Sequence, residues 1–316
     1  MTEIQITSGQ EKQRFDKFLK KYFKAASGGF LYKMLRKKNI TLNKKKADGS
    51  EILQAGDMIQ VFFSDETFSK MRGQEAVSSE YQKLLHVPHE LQVIYEDDLM
   101  LIVNKPSGML SQKASESDIS LNESILSYLI HEGLLSEETY AVFHPSVANR
   151  LDRNTSGIVL AGKTLAGQQF LSDILRDRSA KKIYHCIVRG KVEEEMHLKG
   201  YLLKDERSNQ VQIFSDETQD AKPIETAYRP LVVGPDATLL EVHLITGRSH
   251  QIRAHLASIG HPIAGDPKYG DMVWNKKLRQ DFSVRSQLLH AYSITLPDGR
   301  TFIADEPEIF SQIMRG

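Results

Sequence analysis

Cysteine and long apolar runs are nearly absent from this chain of 316 residues. Its one cysteine, Cys186, excludes an internal disulfide and any zinc or iron–sulfur site that needs several cysteines. No uninterrupted apolar stretch approaches the roughly 18–20 residues of a membrane span, and the first residues lack the basic and apolar segments of a signal peptide. We therefore expect a cytoplasmic protein that does not insert into a membrane.

Motifs for nucleotide cofactors and for esterase chemistry are also missing. The chain contains no G-x-G-x-x-G, no P-loop and no G-x-S-x-G. His250 and His255 are five residues apart, so they lie on different helix faces, unlike the i, i+4 pair of a metalloprotease. We expect no cofactor and no metal, and we predict that these histidines are structural.

Charge is balanced over the whole chain but not along it. Residues 1–72 hold 15 lysines and arginines against 8 acidic residues, a net charge of +7, so the remainder carries −7. A basic front on an acidic body favours a module that binds a polyanion. A lysine-rich surface exposed to solvent is the alternative, and charge alone leaves both open.

Two basic helices and a hairpin are predicted for this basic front. Residues 12–24 place apolar side chains at helical spacing, with lysines and an arginine off that face. A second short helix follows after a glycine pair. Strands are predicted over residues 40–43 and 58–63.

The order of two helices and a hairpin resembles the alpha-L RNA-binding domain, a small α/β domain found in a ribosomal small-subunit protein and in tyrosyl-tRNA synthetases. The matching segments are Arg14-Phe15-Asp16-Lys17-Phe18-Leu19, Leu35-Arg36-Lys37, Thr41-Leu42-Asn43 and Ala55-Gly56-Asp57. The resemblance implies that Lys33, Arg36 and Lys37 contact RNA, since clustered cations neutralise phosphates and release counterions. A helical cap with a basic exterior is the alternative.

We divide the chain into a domain over residues 1–72, a linker over 73–88 and a body over 89–316. The linker shows no strong hydrophobic period. In the body, short apolar strands mix with amphipathic helices in an irregular order. This order predicts an α+β domain with a mixed sheet and not a regular βαβ series.

Three polar segments stand out in the otherwise apolar body, at residues 104–110, 149–157 and 246–253. The second runs into a predicted buried strand, and the third lies between a predicted strand and the start of a helix. Polar clusters at strand ends are where functional sites lie on a scaffold. A capped turn is the alternative for each segment.

These segments resemble signature motifs of the RluA-type pseudouridine synthases, which act on large-subunit ribosomal RNA and tRNA. The first contains K-P-S-G, the second surrounds the family's catalytic aspartate, and the third reads T-G-R-S-H-Q-I-R. Lys182-Ile183-Tyr184 is similar to the strand that bears the family's active-site tyrosine. The likeness continues over His261-Pro262-Ile263-Ala264-Gly265-Asp266 and Tyr269-Gly270-Asp271. One position departs from the pattern, because Asn149 stands where a histidine is usual.

The resemblance implies a pseudouridine synthase fold, with a largely antiparallel sheet flanked by helices, and the isomerisation of uridine to pseudouridine. Asp152 is then the catalytic carboxylate, which either attacks the ribose or acts as a base toward it. Arg248 is implied as its paired cation, and Tyr184 as the side chain that stacks on uracil. These three residues are the predicted catalytic set.

Arg150, Arg153 and Lys105 are predicted to contact RNA. The two arginines flank Asp152, where they can hold phosphate or fill the space left by a flipped base; surface ion pairing is the alternative for them. The implied partner is large-subunit ribosomal RNA. The same reaction on tRNA, or a non-catalytic RNA-binding or ribosome assembly factor, is the alternative. We expect a monomer.

Overall fold

Two β-sheets organise the chain in the computed structural model, which describes residues 1–7, 9–205, 208, 210–218 and 220–315. In chain order the strands are β1 (Thr2–Gln5), β2 (Ile40–Leu42), β3 (Lys45–Lys46), β4 (Met58–Val61), β5 (Val93–Glu96), β6 (Met100–Lys105), β7 (Ser146–Val147), β8 (Ser156–Gly162), β9 (Lys181–Arg189), β10 (Met196–Asp205), β11 (Gln210–Phe214), β12 (Lys222–Val233), β13 (Ala237–Leu244), β14 (Leu289–Thr295) and β15 (Thr301–Ile303). The helices are α1 (Phe15–Tyr22), α2 (Gly28–Arg36), α3 (Asp65–Arg72), α4 (Gln74–Leu84), α5 (Leu121–His131), α6 (Glu137–Val142), α7 (Leu165–Arg176), α8 (Gln251–Ser258), α9 (Met272–Phe282) and α10 (Glu308–Arg315).

The front of the chain forms a four-stranded antiparallel sheet in the order β1-β4-β2-β3, which shares an apolar core with α1 and α2. Phe15, Phe18 and Leu19 on α1 have no exposed surface, as their helical spacing predicts. The Ser27 hydroxyl accepts a hydrogen bond from the Phe30 N–H at 3.2 Å and so caps the start of α2. The two predicted helices and the hairpin are confirmed, and β1 is an additional strand.

The segment at residues 73–88, predicted as a linker, is mostly helical. Helix α4 covers most of it, and Val77 and Leu84 are buried in the core of the body. The Tyr81 hydroxyl donates a hydrogen bond to the Leu135 carbonyl oxygen at 3.0 Å. The linker prediction is therefore corrected, because this helix packs against α5 and α6 and belongs to the folded structure. The division into two domains stays a prediction.

The front domain contacts the body through α6 and the residues that follow it. Val142, at the end of α6, lies in the same apolar cluster as Phe15. The Lys24 ammonium lies 2.8 Å from Nε2 of His144 and 5.6 Å from the centre of the Tyr140 ring. Apolar packing and polar contacts together hold this domain against the body.

The body is built on an eleven-stranded sheet whose main path is β11-β10-β12-β13-β9-β14-β8-β6-β5, with β15 paired to β14 and β7 to β8. Strands β14 and β8 run parallel, and the other described pairs of this sheet are antiparallel. Helices α5 and α8 belong to the core on one face, and α7 belongs to the core on the other. The predicted α+β class with a mixed, largely antiparallel sheet is confirmed.

Gly157, near the start of β8, allows the close approach of β8 and β14. Its φ is +109°, a conformation that side chains with a Cβ rarely adopt. A Cβ at this position would lie 2.3 Å from the Ala291 carbonyl oxygen, and Ala291 is its register partner in β14. The glycine therefore fixes the path of the chain as it enters β8 from the loop that carries Asp152.

Candidate active site

Asp152 lies in the loop between β7 and β8, and this loop is held in place by the K-P-S-G segment and by Ser111, which directly follows the first polar segment. The Ser111 hydroxyl accepts a hydrogen bond from the Leu151 N–H at 3.0 Å and donates one to the Leu151 carbonyl oxygen at 2.9 Å. The Ser107 hydroxyl donates to the Asn154 carbonyl oxygen at 2.9 Å. The first two polar segments of the sequence therefore form one structure around the carboxylate.

Lys105 is the centre of this loop structure and does not contact solvent. It is completely buried at the end of β6, and its ammonium donates to the carbonyl oxygens of Pro106 (3.0 Å), Met109 (2.8 Å) and Arg153 (3.0 Å). Burial lowers the pKa of Lys105 to about 8, although the negative charge of Asp152 acts in the opposite direction. The prediction that Lys105 contacts RNA is wrong, because its three donors are used inside the protein.

Replacement of Lys105 by methionine should destabilise the protein without a direct effect on RNA contacts. The substitution keeps the length of the side chain but leaves carbonyl oxygens of the loop without a donor, at about 1–3 kcal/mol for each buried acceptor. Urea unfolding would measure the loss, with the exposed Lys113→Met variant as control. Unchanged stability combined with weaker RNA binding would restore the RNA-contact role.

The Asp152 carboxylate is paired with a buried arginine of α8. Nη1 of Arg253 donates to Oδ2 of Asp152 at 2.8 Å, while its Nε and Nη2 donate to the two oxygens of Asp266 at 2.7 and 2.9 Å. Asp266 also accepts the backbone N–H groups of Lys268 and Tyr269. Burial alone would raise the pKa of Asp266, but the Arg253 guanidinium and these N–H donors hold it below its ordinary value.

Arg248, the predicted partner of Asp152, lies elsewhere. It is exposed in the turn before α8, and the position on the carboxylate belongs to Arg253, whose side chain is only 5% exposed. Gln251 organises the turn, because its side-chain oxygen accepts the Arg248 N–H at 3.1 Å and the Thr246 hydroxyl at 2.9 Å. The turn therefore keeps Arg248 outside the helix, and the predicted Asp152–Arg248 pair is wrong.

Tyr184 lies in the middle of β9, within the apolar core on the α8 side of the sheet. It is buried, and burial, with a smaller contribution from the negative charge of Asp152, raises the pKa of its phenol above the ordinary value. Cys186, two residues further on the same strand face, has no exposed surface, which confirms the prediction that it is a core residue. The phenol of Tyr184 is therefore neutral beside the carboxylate.

His250 and Tyr269 complete the surroundings of Asp152 and were not predicted as site residues. Nε2 of His250 lies 3.9 Å from Oδ2 of Asp152, and its Nδ1 lies 3.0 Å from the Tyr269 hydroxyl. Burial lowers the pKa of His250, although Asp152 acts in the opposite direction. His250, Arg253 and Asp266 all fall within motifs quoted for the family resemblance, so the signal was present without an assigned role.

Asn149, the departure from the family pattern, is a structural residue in this chain. Its side-chain amide donates to the Ile158 carbonyl oxygen at 3.2 Å, and its side-chain oxygen accepts the Leu160 N–H at 2.8 Å. These bonds tie the start of the Asp152 loop to β8. Asparagine at this position, where histidine is usual, therefore still holds the loop that carries the Asp152 carboxylate.

The remaining predicted RNA contacts lie on the surface. Arg150 and Arg153 are exposed on either side of the Asp152 position in the loop. Lys33 and Arg36 are exposed on α2, and Lys37 is exposed directly after it. All five cations are therefore accessible to a polyanion, and their role in RNA binding stays a prediction.

Neither a metal centre nor a membrane span is found among the residues that the structure describes. No three His, Cys, Asp or Glu side chains lie together there as ligands for a metal ion. No helix in the same part of the chain has the length and apolar character needed to cross a bilayer. His255 lies in the core, with its Nδ1 3.1 Å from the Thr226 hydroxyl, as predicted for a structural histidine.

A family model described as RNA pseudouridylate synthase matches residues 99–258, about half of the chain. The match includes the Asp152 loop, the strand with Tyr184 and the helix with Arg253. Relatives named ribosomal large subunit pseudouridine synthase C match over nearly the whole chain. The protein from Haemophilus ducreyi is 33% identical over 297 residues, which cover 94% of this chain and 88% of the relative. The chain belongs to the RNA pseudouridylate synthase family.

Further comparisons agree with this assignment. Ribosomal large subunit pseudouridine synthase C of Escherichia coli strain K12 is 33% identical over 298 residues, which cover 92% of this pseudouridine synthase and 87% of the relative. The structure of human RNA pseudouridylate synthase domain containing 4 aligns with a TM-score of 0.57 at 19% identity. It covers 76% of this chain and 96% of its own, and this likeness shows the fold alone. The predicted family, fold and isomerase class are confirmed.

Proposed function

We propose that this pseudouridine synthase isomerises uridine in large-subunit ribosomal RNA, with Asp152 as the carboxylate that acts on the ribose. The observation that carries the proposal is the setting of Asp152, whose side chain is 30% exposed while its buried partner Arg253 is only 5% exposed. One side of the carboxylate is therefore held by the protein and the other is open to a substrate. The names of the relatives support ribosomal RNA as that substrate.

The chemistry requires a carboxylate at such a position. The bond from uracil nitrogen to the anomeric carbon breaks, the base turns, and a bond from a ring carbon to the same anomeric carbon forms. The ring carbon loses its proton and the released nitrogen takes one up, so the overall change is an isomerisation. Departure of the base builds positive charge on the ribose, as in glycoside hydrolysis, and a carboxylate can attack or stabilise that centre. The Arg253 guanidinium donates a hydrogen bond to Asp152 and compensates the negative charge of the carboxylate.

The target uridine must leave its base stack to reach the carboxylate. Tyr184 is proposed to stack on the uracil, since its ring lies on the sheet below the Asp152 loop and its phenol is neutral. Arg150 and Arg153 are proposed to hold phosphates on either side of the flipped nucleotide. Both exposed cations of the Asp152 loop, Arg150 and Arg153, are thus proposed to contact RNA.

Mapping pseudouridines in total RNA from cells with and without the protein tests this function. Loss of specific pseudouridines from large-subunit ribosomal RNA supports the proposal. Loss from tRNA alone would favour the alternative substrate, and no loss at all would favour a non-catalytic RNA-binding or assembly factor. A cytoplasmic location fits an enzyme with a ribosomal substrate, and the monomeric state stays a prediction.

Neutralising the basic surface of α2 should weaken RNA binding and its dependence on salt. The Lys33→Gln, Arg36→Gln and Lys37→Gln triple variant removes three exposed cations that make no ion pair among those described. Counterion release gives a slope of about 0.7 to 0.9 units of log affinity against log salt for each phosphate neutralised. If each cation neutralises one phosphate, the slope should fall by about 2 to 3 units in a salt titration.

A triple variant with the same change of charge provides the control. Arg176, Arg178 and Lys181 are exposed cations at the junction of α7 and β9, away from the front domain. Their replacement by glutamine should change the slope much less. If both triple variants have the same slope, the cations of α2 affect RNA affinity only through the net charge of the protein. The front domain would then not bind the RNA specifically.

A further inference from the structure

His250 faces the proposed catalytic carboxylate, although none of the proposed bond-breaking and bond-forming steps uses it. It precedes α8 with a φ of +54°, in the left-handed region, and its side chain is only 9% exposed. A non-glycine residue in this conformation at a functional site indicates a position that the surrounding structure holds in place. The question is therefore what the imidazole presents to Asp152.

The hydrogen bonds of Tyr269 favour one of the two neutral tautomers of His250. The Val211 backbone N–H can only donate, and it donates to the Tyr269 hydroxyl oxygen at 2.9 Å. The hydroxyl proton is then available for Nδ1 of His250, 3.0 Å away. A phenol oxygen can also accept a second hydrogen bond, so this contact favours, and does not by itself fix, the neutral tautomer in which Nδ1 accepts and Nε2 carries the hydrogen.

The other end of the ring agrees with this tautomer. Nε2 lies 3.9 Å from Oδ2 of Asp152, and an ionised carboxylate can only accept. An Nε2–H therefore faces an acceptor, whereas a bare Nε2 would face a second lone pair. The distance is too long for a hydrogen bond, so this N–H is aimed at the carboxylate without yet bonding to it.

The two oxygens of Asp152 are unequal in this arrangement. Arg253 donates to Oδ2, and His250 points to the same oxygen. Among the described residues no hydrogen bond to Oδ1 is found. Oδ1 is therefore the oxygen that remains open for the ribose.

We propose that His250 is a positioning residue, and that in the RNA-bound enzyme its Nε2–H closes to hydrogen-bond distance from Oδ2 of Asp152. Arg253 and His250 then hold one carboxylate oxygen from two sides and direct Oδ1 to the anomeric carbon. Tyr269 acts through His250 by holding the tautomer. Hydrogen bonds at active sites often tighten only when the substrate is bound. The proposal rests on the proposed function of Asp152.

Two substitutions at His250 separate this role from a purely structural one. Asparagine tolerates the left-handed conformation, but its amide reaches only the position of Nδ1. Glutamine places an amide N–H near the position of Nε2. We expect the single-turnover rate of His250→Asn to fall by about 10- to 100-fold, as for a displaced catalytic group, with RNA affinity unchanged and with a substantial part of the rate retained in His250→Gln.

The pH dependence of the single-turnover rate gives a readout that a structural role would not move. Asp152, Arg253, Asp266 and Lys268 are the charged groups around His250. A carboxylate with one donor fewer is protonated more easily, so the acid limb of the profile should move to higher pH in His250→Asn. The Tyr269→Phe variant keeps the ring but removes the hydroxyl that favours one tautomer of His250. It should shift the acid limb of the profile in the same direction.

His261→Asn is the matched control, because His261 is bonded to the Arg189 carbonyl oxygen outside the site. It should keep the wild-type rate and profile, and thermal melts should show all variants folded. If the wild type is active and His250→Asn has the same rate and the same pH profile, the inference about His250 is wrong, while the proposed function of Asp152 stands. A variant that loses RNA affinity but not the single-turnover rate also overturns it. A wild type that forms no pseudouridine overturns the proposed function as well.

Discussion

The Asp152→Asn protein is expected to form no measurable pseudouridine, a loss of about 10⁴-fold or more, while it stays folded and binds RNA. Asparagine has nearly the shape of aspartate, and its oxygen can still accept the hydrogen bond from Arg253. It cannot attack or stabilise the ribose as a carboxylate does. Single-turnover conversion of a uridine-containing RNA fragment measures the rate, and a binding titration on the same fragment measures affinity.

Asp173→Asn is a suitable control for this experiment. Asp173 is an exposed carboxylate that also pairs with an arginine, Arg176, at 2.5 Å, but it lies on α7 outside the site. Its loss should leave conversion unchanged. Comparable turnover by Asp152→Asn and wild type would remove Asp152 from the catalytic role and, with it, the basis of the proposed mechanism.

Several elements of the body could be predicted because their sequence patterns are local. The sequence predicts a helix over residues 165–176, and α7 has these bounds, since Thr164 caps its start and the apolar residues Leu171 and Ile174 recur at helical spacing. Strand β8 reads as a buried apolar run and is buried throughout. The three polar segments marked the site for the same reason, because each stands at the end of a predicted strand.

The outer part of the large sheet could not be predicted in the same way. Strands β10, β11 and β12 extend the sheet; β10 contains two lysines and a glycine, and β12 contains a lysine, a glutamate and two prolines. Pro223 and Pro230 argue against a strand, since proline cannot donate to the ladder. Pro230 lies where the pairing of β12 with β13 shifts register. The irregularity accommodates a residue that the local pattern excludes.

The roles of the cations depended on contacts between distant segments. Lys105 was predicted to contact RNA, but it donates to Arg153, 48 residues away, and no local pattern indicates that bond. Arg248 and Arg253 stand in one motif, and only the start of α8 decides which of them faces the sheet. The sequence predicts this helix over residues 249–259, and it begins at Gln251, two residues later. Arg253 lies in its first turn and reaches the carboxylate, whereas Arg248 lies in the turn before the helix.

Replacement of Arg253 should consequently lower the free energy of unfolding more than replacement of any other cation among the described residues. Its replacement by methionine leaves Asp266 buried without its partner, and breaking a buried pair costs about 3–5 kcal/mol. The free energy of unfolding, measured with urea near neutral pH, should fall by this amount. The paired state depresses the pKa of Asp266, so its stabilising contribution is present above the ordinary range of aspartate and is lost as pH falls through the depressed value. The difference between wild type and Arg253→Met should therefore shrink in acid.

Arginine-to-lysine substitutions at the two positions separate catalysis from stability. Lysine at 253 keeps the positive charge but cannot bridge Asp152 and Asp266 with a planar fork, so we expect conversion to fall by about 100-fold in a protein that still folds. Arg248→Lys keeps the charge at an exposed position and should change conversion by no more than a few-fold. A large loss in Arg248→Lys with normal activity in Arg253→Lys would show that the RNA-bound enzyme exchanges the two arginines. The single-turnover rate, normalised to the folded fraction from thermal melts, decides between these outcomes, because a residue that acts only through RNA affinity does not lower the rate at saturating RNA.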